Sequence, residues 1–365
     1  MKNIRILITG GGTGGHIFPA IAIADELKKQ RPNCEILFVG AKNGMEETLI
    51  PKAGYPIETV EVTGIYRKIT FNNIIKNLKL PFLLWNARKS IKKIIEKFEP
   101  QIVIGVGGYA SYPALRCAIS LKIKSVICEQ NAYPGLVNRM LGKKVDLILL
   151  GNKDAETYFD KNKTVVTGNP VRENIVQVDK LEALKTFGFE ADKPTVLILG
   201  GSLGAGSINS TILNDINKLI NKDIQLIWQC GKGYHNQFLD NLNEHPNLYL
   251  VPFIEDMAVA YSAADLVVAR AGALTISELI SMSKPAILIP SPNVSDNHQF
   301  KNAQSLTGSG GCLLLEDEKL SNLTDLLLTN LQNKTQLLDM QQIMNQQPKQ
   351  NSAKVMVEYI LKLIF

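Results

Sequence analysis

A glycine-rich turn, Gly10-Gly11-Gly12-Thr13-Gly14-Gly15-His16, follows directly on the apolar run Ile4 to Thr9. A second, Gly200-Gly201-Ser202-Leu203-Gly204-Ala205-Gly206, stands behind Thr195 to Leu199 and ahead of another helix-like stretch. Glycine lets the backbone approach a ligand closely, and the N–H groups at a helix start present partial positive charge, so each turn is an opening for an anion. Two such openings facing each other suit a sugar nucleotide. Gly10, Gly12 and Gly15 also match G-x-G-x-x-G, but a dinucleotide site places a carboxylate about 20 residues further on. Here the strand Ile36 to Val39 runs into Gly40-Ala41-Lys42-Asn43, with no carboxylate. Neither loop ends in the Gly-Lys-Ser/Thr of a P-loop. There is no Asp-x-Asp pair, and His16, His235, His245 and His298 lack metal-ligand spacing, so neither a metal nor a cofactor is expected.

The loops need a scaffold, and the chain alternates strand and helix patterns around them. Strands are expected at Ile4 to Thr9, Glu35 to Val39, Thr59 to Val62, Ile102 to Val106, Ser125 to Cys128 and Asp146 to Leu149, with helices over Pro19 to Gln30 and Met45 to Ala53. A second series covers Thr195 to Leu199, Gln225 to Trp228, Leu248 to Val251, Leu266 to Ala269 and Ala286 to Ile289. This alternation predicts an α/β fold with two Rossmann-like, doubly wound parallel-sheet domains. The Gly168-Asn169-Pro170 cluster reads as the hinge, giving domains over 1–168 and 169–349, and the final helix, 350–365, is expected to brace the first.

With 365 residues and 45% apolar content, the chain has enough core-forming sequence for two domains. Five scattered cysteines without a Cys-x-x-Cys pair fit a reducing compartment. No apolar run reaches the roughly 18 residues of a membrane span, so a soluble or peripheral protein is expected. The net charge of +6 hides an asymmetry: from Arg67 to Lys97 nine basic residues stand against Glu96 alone, a local +8 that leaves −2 for the remainder. Interleaved are Phe71, Ile74, Ile75, Leu78, Leu80, Pro81, Phe82, Leu83, Leu84 and Trp85. One reading is a helix lying on an anionic membrane surface. The other is a helix with a buried apolar face and solvated lysines. Nucleic acid finds no recognisable motif here.

Eight segments together carry a family resemblance: GGTGGHIFPA (11–20), GVGGYAS (105–111), EQN with PGLVNR (129–139), GNPVR (168–172), GGSLGA (200–205), FIEDM (253–257), RAGALTISE (270–278) and DNHQFKNA (296–303). In this order they resemble the family 28 glycosyltransferases of peptidoglycan synthesis, enzymes of the GT-B fold. The resemblance implies inverting transfer of N-acetylglucosamine from its UDP donor to the C4 hydroxyl of a muramoyl-pentapeptide on a polyprenyl diphosphate, lipid I, giving lipid II. It further implies a peripheral enzyme on the cytoplasmic face of the plasma membrane, and it favours the membrane reading of the basic stretch.

The chemistry needs a base for the acceptor hydroxyl and positive charge for departing UDP. His16, with an ordinary pKa of ~6.5, is the first candidate base, its alternative being a contact to acceptor diphosphate or a helix cap. Glu129 is the second, its alternative being a structural carboxylate. Carried over from the family, the donor site comprises Thr13, Gly14, Gly15 and Asn131 on the N-terminal side. Across from them it comprises Arg172, Ser202, Ile254, Ala273, Leu274, Thr275, Glu278 and Gln299. Ile254 would pair its backbone N–H and C=O with uracil, Glu278 would accept two ribose hydroxyls, and Gln299 would meet the sugar. Arg172 would add charge at the hinge, or else form a plain salt bridge there. Leu203, Tyr112 and Cys128 depart from the family pattern and leave the acceptor side less defined than the donor side. The rival activities are a UDP-N-acetylglucosamine 2-epimerase, another GT-B glycosyltransferase and a silent sugar-nucleotide sensor.

Overall fold

The computed structural model describes residues 4–64, 70–201, 203–240, 242, 244–349 and 351–365, without the side chains of Asn72, Lys76, Lys79 and Ser295. The chain divides into two compact units, one of Met1–Arg172 with Asn351–Phe365 and the other of Glu173–Gln350.

The first unit is built on seven strands: β1 (Arg5–Thr9), β2 (Glu35–Ala41), β3 (Ile57–Val60), β4 (Ile102–Gly105), β5 (Lys124–Glu129), β6 (Leu147–Leu150) and β7 (Thr164–Val166). Their order across the sheet is β3-β2-β1-β4-β5-β6-β7, and every pair is parallel. Helices cover both faces, which is why β1 and β4 read as unbroken apolar runs: Ile6, Leu7, Ile8, Ile102, Val103 and Ile104 are all fully buried. The helix Ser352–Ile364 places Met356, Val357, Ile360 and Leu361 on one stripe, and these pack into the same core as Ile17, Ile23 and Leu27 of the helix Gly14–Gln30. Each such burial is worth about 1.5–3 kcal/mol before entropy.

The second unit carries β8 (Thr195–Leu199), β9 (Gln225–Gln229), β10 (Leu248–Val251), β11 (Leu266–Ala269), β12 (Ala286–Leu288) and β13 (Cys312–Leu314), in the order β10-β9-β8-β11-β12-β13. It too is parallel throughout. Strand order reverses between β1 and β4 in the first sheet and between β8 and β11 in the second. In open parallel sheets, ligands bind beyond the strand carboxyl ends at such a switch point. The two glycine turns follow β1 and β8, so the topology sets each at a switch point.

Four elements show how the structure departs from the expectation. The helix after the first glycine turn begins at Gly14, five residues ahead of Pro19; lacking an N–H, Pro19 forgoes the helical bond to the Gly15 carbonyl and still lies within the helix. The third strand runs Ile57–Val60, two residues earlier than its apolar content indicates. β7 and β13 are edge strands of three residues each, too short for alternation to mark them.

Candidate active site

At the first switch point the turns after β1 and β4 pack backbone to side chain. A Cβ on Gly107, whose φ is +101°, would lie 2.6 Å from His16 Cδ2 and 2.9 Å from its Nε2. Only glycine there lets the imidazole lie flat against the chain. His16 is half-buried in the first turn of its helix, with Thr13 Oγ1 3.2 Å from Nδ1. Gly14 and Gly15 open that helix, so their N–H groups belong to the set without intrahelical acceptors.

Beneath the same turn sits Glu46, which sequence reasoning overlooked. It is 1% exposed; Oε1 accepts the Ala41 N–H at 2.9 Å and Oε2 the Gly12 N–H at 3.0 Å. A Cβ on Gly11, Gly40 or Gly44 would fall within about 2.5 Å of Glu46 atoms, so three glycines form its cage. The Gly12 N–H therefore serves an internal carboxylate and is lost to any anionic ligand. The carboxylate absent at the end of β2 enters this loop from the next helix, Glu46–Lys52.

Glu129 is not placed to take a proton from substrate. It is 2% exposed, and both oxygens are engaged: Oε1 accepts from Asn131 N at 2.9 Å and Asn131 Nδ2 at 3.1 Å, Oε2 from Gly135 N at 2.9 Å and Asn138 Nδ2 at 2.8 Å. Four local donors on a buried carboxylate make it the clamp of the 131–138 loop, and through it Asn131 is oriented. Behind it, Cys128 is buried and its thiol is pushed up to about 12 by desolvation first and by the Glu129 charge second. Gln130 links the neighbouring segments, donating from Nε2 to Val106 O and accepting at its carbonyl from Asn169 Nδ2. Arg172 closes the first unit rather than opening the second, its guanidinium 4.6 Å from the Phe18 ring centroid. It thus packs on the helix that follows the first glycine turn.

In the second unit the turns after β8 and β9 interlock. A Cβ on Gly204, at φ +83°, would stand 2.1 Å from Cys230 O, whereas a Cβ on Gly201 would meet nothing within 4 Å. The loop is thus braced on one side and open on the other. Ser202 lies outside the described residues. Gln229, at the end of β9, bridges two loops: Nε2 donates to Gly201 O at 3.0 Å and Oε1 accepts from Ile254 N at 2.9 Å. The Ile254 N–H expected to meet uracil is therefore taken by Gln229, and Ile254 itself is 5% exposed.

Ala273, Leu274 and Thr275 form the first turn of the helix Ala273–Ser281, and Glu278 lies one turn further along, where Oε2 accepts the Tyr261 hydroxyl at 3.0 Å. Gln299 accepts the Ser291 N–H at Oε1, at 2.8 Å, which fixes the amide in place. Arg270, at the start of the same motif, ties the site together. It donates to Asp317 Oδ1 at 2.6 Å, to Ser207 Oγ at 2.7 Å and to the carbonyls of Ile289 and Pro290, each at 3.2 Å. The structure thus brings Ala273, Leu274, Thr275, Glu278, Gln299 and Ile254 together at the carboxyl end of the second sheet. It sets Thr13, Gly14, Gly15, His16, Asn131 and Arg172 at that of the first. Gln229, a polar residue ending an apolar strand, was readable as a site residue; Tyr261 and Glu46 gave no signal in the sequence.

Residues 6–150 match the Glycosyltransferase family 28 N-terminal domain, and residues 195–356 match the Glycosyltransferase family 28 C-terminal domain. A Flavobacterium psychrophilum protein named UDP-N-acetylglucosamine–N-acetylmuramyl-(pentapeptide) pyrophosphoryl-undecaprenol N-acetylglucosamine transferase is 42% identical, over 100% of this chain and 99% of its own. A Bacteroides fragilis protein of the same name is also 42% identical, over 99% of this chain and 96% of its own. Among solved structures, Acinetobacter baumannii MurG superposes with a TM-score of 0.75 at 30% identity, covering 98% of this chain and 99% of that one. A Listeria monocytogenes protein described as a UDP-N-acetylglucosamine 2-epimerase reaches a TM-score of 0.69 at 15% identity, a likeness of fold alone.

Proposed function

This chain belongs to glycosyltransferase family 28, and on that premise we infer that it transfers N-acetylglucosamine from UDP-N-acetylglucosamine to the C4 hydroxyl of the muramoyl-pentapeptide of lipid I. The products are lipid II and UDP. The observation that carries the reading is end-to-end identity of 42% with relatives bearing that activity in their name. The epimerase alternative has only the shared fold behind it.

In the proposed mechanism the C4 oxygen attacks the anomeric carbon as the bond from that carbon to the diphosphate oxygen breaks, and the bonding pair leaves with UDP. The hydroxyl proton passes to His16, whose ring is held against Gly107 and beside Thr13. Asn131, set by the Glu129 clamp, and the amides of Gly14 and Gly15 contact the transferred sugar from the first unit. In the second unit Glu278 takes the ribose hydroxyls, the carbonyl of Ile254 takes the uracil edge, and Gln299 donates to the sugar. The open side of the Gly201 turn, Ser202 and the amides of Ala273 to Thr275 accommodate the diphosphate. Arg172 adds charge, so that no metal is required for the leaving group.

The acceptor is lipid-borne, and the helix Phe71–Phe98 supplies a surface for it. Phe71, Ile74, Ile75, Leu78, Phe82 and Trp85 fall at helical spacing on one side and are all exposed, with Lys89 Nζ 3.8 Å from the Trp85 ring centroid. The later part of the same helix turns inward, burying Ala87, Ile91 and Ile95. Among the described residues no helix is long and apolar enough to cross a membrane. The reading is therefore peripheral attachment to an anionic membrane surface on its cytoplasmic side, with apolar insertion and cationic attraction acting together.

A single incubation tests the assignment: labelled UDP-N-acetylglucosamine with and without a lipid I analogue. Acceptor-dependent UDP release with a disaccharide product is expected. Free epimer without acceptor, or binding without turnover, refutes it.

A further inference from the structure

We propose that Tyr261 is a positioning residue for donor recognition, one that holds Glu278 in the orientation that reads the ribose hydroxyls and so makes the enzyme selective for ribonucleoside diphosphates. The inference rests on the reading of Glu278 as the ribose ligand. Tyr261 is fully buried, and its hydroxyl donates to Glu278 Oε2 at 3.0 Å. The ring therefore cannot itself touch a nucleotide; what reaches the site through it is the direction of one carboxylate oxygen.

The helix that carries Tyr261, Met257–Ala263, is pinned at both ends. At its start the Asp256 side chain accepts the Val259 N–H at 3.2 Å. At its end buried Lys284 donates from Nζ to the carbonyls of Ser262 at 3.3 Å and Ala264 at 2.9 Å. Ile254 lies three residues before this helix, and its N–H is fixed by Gln229. One short rigid element thus runs from the base-reading segment to the ribose-reading carboxylate. A carboxylate has about four acceptor positions over its two oxygens, so a bond from Tyr261 leaves capacity for two ribose hydroxyls. An unanchored glutamate would pay rotamer entropy each time it closed on them.

Calorimetric titration of UDP and of 2′,3′-dideoxy-UDP into the full-length wild type, Tyr261→Phe, Glu278→Ala and the double variant tests the proposal. Tyr261→Phe should raise the Kd for UDP by about 5- to 20-fold, a part of the full value of a hydrogen bond to a charged group because Glu278 itself is kept. The Kd for dideoxy-UDP should stay at the wild-type value, which also certifies the fold of the variant. In the Glu278→Ala background, Tyr261→Phe should add nothing. If Glu278→Ala weakens UDP selectively while Tyr261→Phe keeps the wild-type ratio of the two affinities, the positioning role is wrong and the ribose reading stands. Equal weakening of both nucleotides by Tyr261→Phe reduces the tyrosine to packing and also overturns the proposal. If Glu278→Ala binds both nucleotides as the wild type does, the ribose reading fails and takes the proposal with it.

Discussion

The exposed stripe on the helix Phe71–Phe98 makes membrane attachment a quantitative matter. Leu78 and Phe82 keep 74% and 64% of their surface in contact with water. Full burial of either side chain is worth about 1.5–3 kcal/mol, so insertion of the exposed fraction contributes about 1–2 kcal/mol each. The double variant Leu78→Ser/Phe82→Ser should therefore lose about 2–4 kcal/mol of partitioning, a drop of about thirty-fold to several hundred-fold in the vesicle association constant. Because neither residue belongs to the core, the thermal midpoint and turnover of a water-soluble acceptor analogue should be unchanged. Cosedimentation with phosphatidylglycerol-containing vesicles measures the partitioning directly. A companion variant, Arg88→Glu/Lys89→Glu, should weaken binding at low salt and converge on the wild type at high salt, because its contribution is screened. Wild-type sedimentation of Leu78→Ser/Phe82→Ser would refute the argument, since no other change could then explain why so much apolar surface is left bare.

Three further outcomes follow from the sites. His16→Ala should lower kcat by about 10²–10⁴-fold and abolish the acidic limb of the pH-rate profile, whereas Glu129→Gln should keep that limb while loosening the 131–138 loop; a Glu129→Gln profile lacking the limb would reverse the assignment. Glu46→Gln, which exchanges one acceptor oxygen for a donor facing a backbone N–H, should cost about 1–3 kcal/mol of stability and lower kcat, with UDP affinity unchanged by calorimetry. Lys284 is held at about 8 rather than 10.5, by desolvation above all, against the opposing pull of Asp265. Between those two values the unfolded chain binds more protons than the folded one, so this residue makes stability rise with pH across that window, by about 3 kcal/mol in total. Because the buried cysteine thiols, raised by desolvation, pull the other way above pH ~9, the quantity to read is the difference between the two proteins: denaturant titrations from pH 7.5 to 10.5 should show the stability of the wild type relative to Lys284→Met rising by that amount, and parallel curves would disprove it.

Both glycine turns, most strands and the existence of the C-terminal helix are legible because each leaves a local mark: glycine clusters, continuous apolar runs, and the helical spacing of Met356, Val357, Ile360 and Leu361. What stayed hidden was relational. The sheet order that sets β4 beside β1 and β11 beside β8 comes from strand pairing, and nothing in a strand's own residues names its neighbour. Glu129 looked equally suited to proton transfer and to structure, because a carboxylate at a strand end is the same residue until its four donors are in place. Ile254 illustrates the same limit, since the occupant of its N–H comes from Gln229, 25 residues away in sequence. Arg172 falls in the first unit although the Gly-Asn-Pro cluster suggests a boundary at Gly168, because such a cluster marks a boundary only approximately and the chain still packs on Phe18 four residues beyond that turn's start.

The two glycine turns look alike in sequence yet differ in what fills the room that the absent side chains leave. In the first, protein groups occupy it: Glu46 is caged by Gly11, Gly40 and Gly44, and His16 lies on Gly107. A buried carboxylate under the turn opposes an incoming phosphate and already holds one of its amides, so that turn is suited to presenting an imidazole and neutral hydroxyl partners. In the second, Gly204 approaches the Cys230 carbonyl, Gly231 that of Leu203 and Gly206 the Tyr234 hydroxyl, while a Cβ on Gly201 would meet nothing within 4 Å among the described residues. The same motif thus lies over a buried carboxylate in one unit and leaves an open position above Gly201 in the other. That difference in wiring, rather than the glycines themselves, supports the proposal that the acceptor hydroxyl belongs with the first unit and the diphosphate with the second.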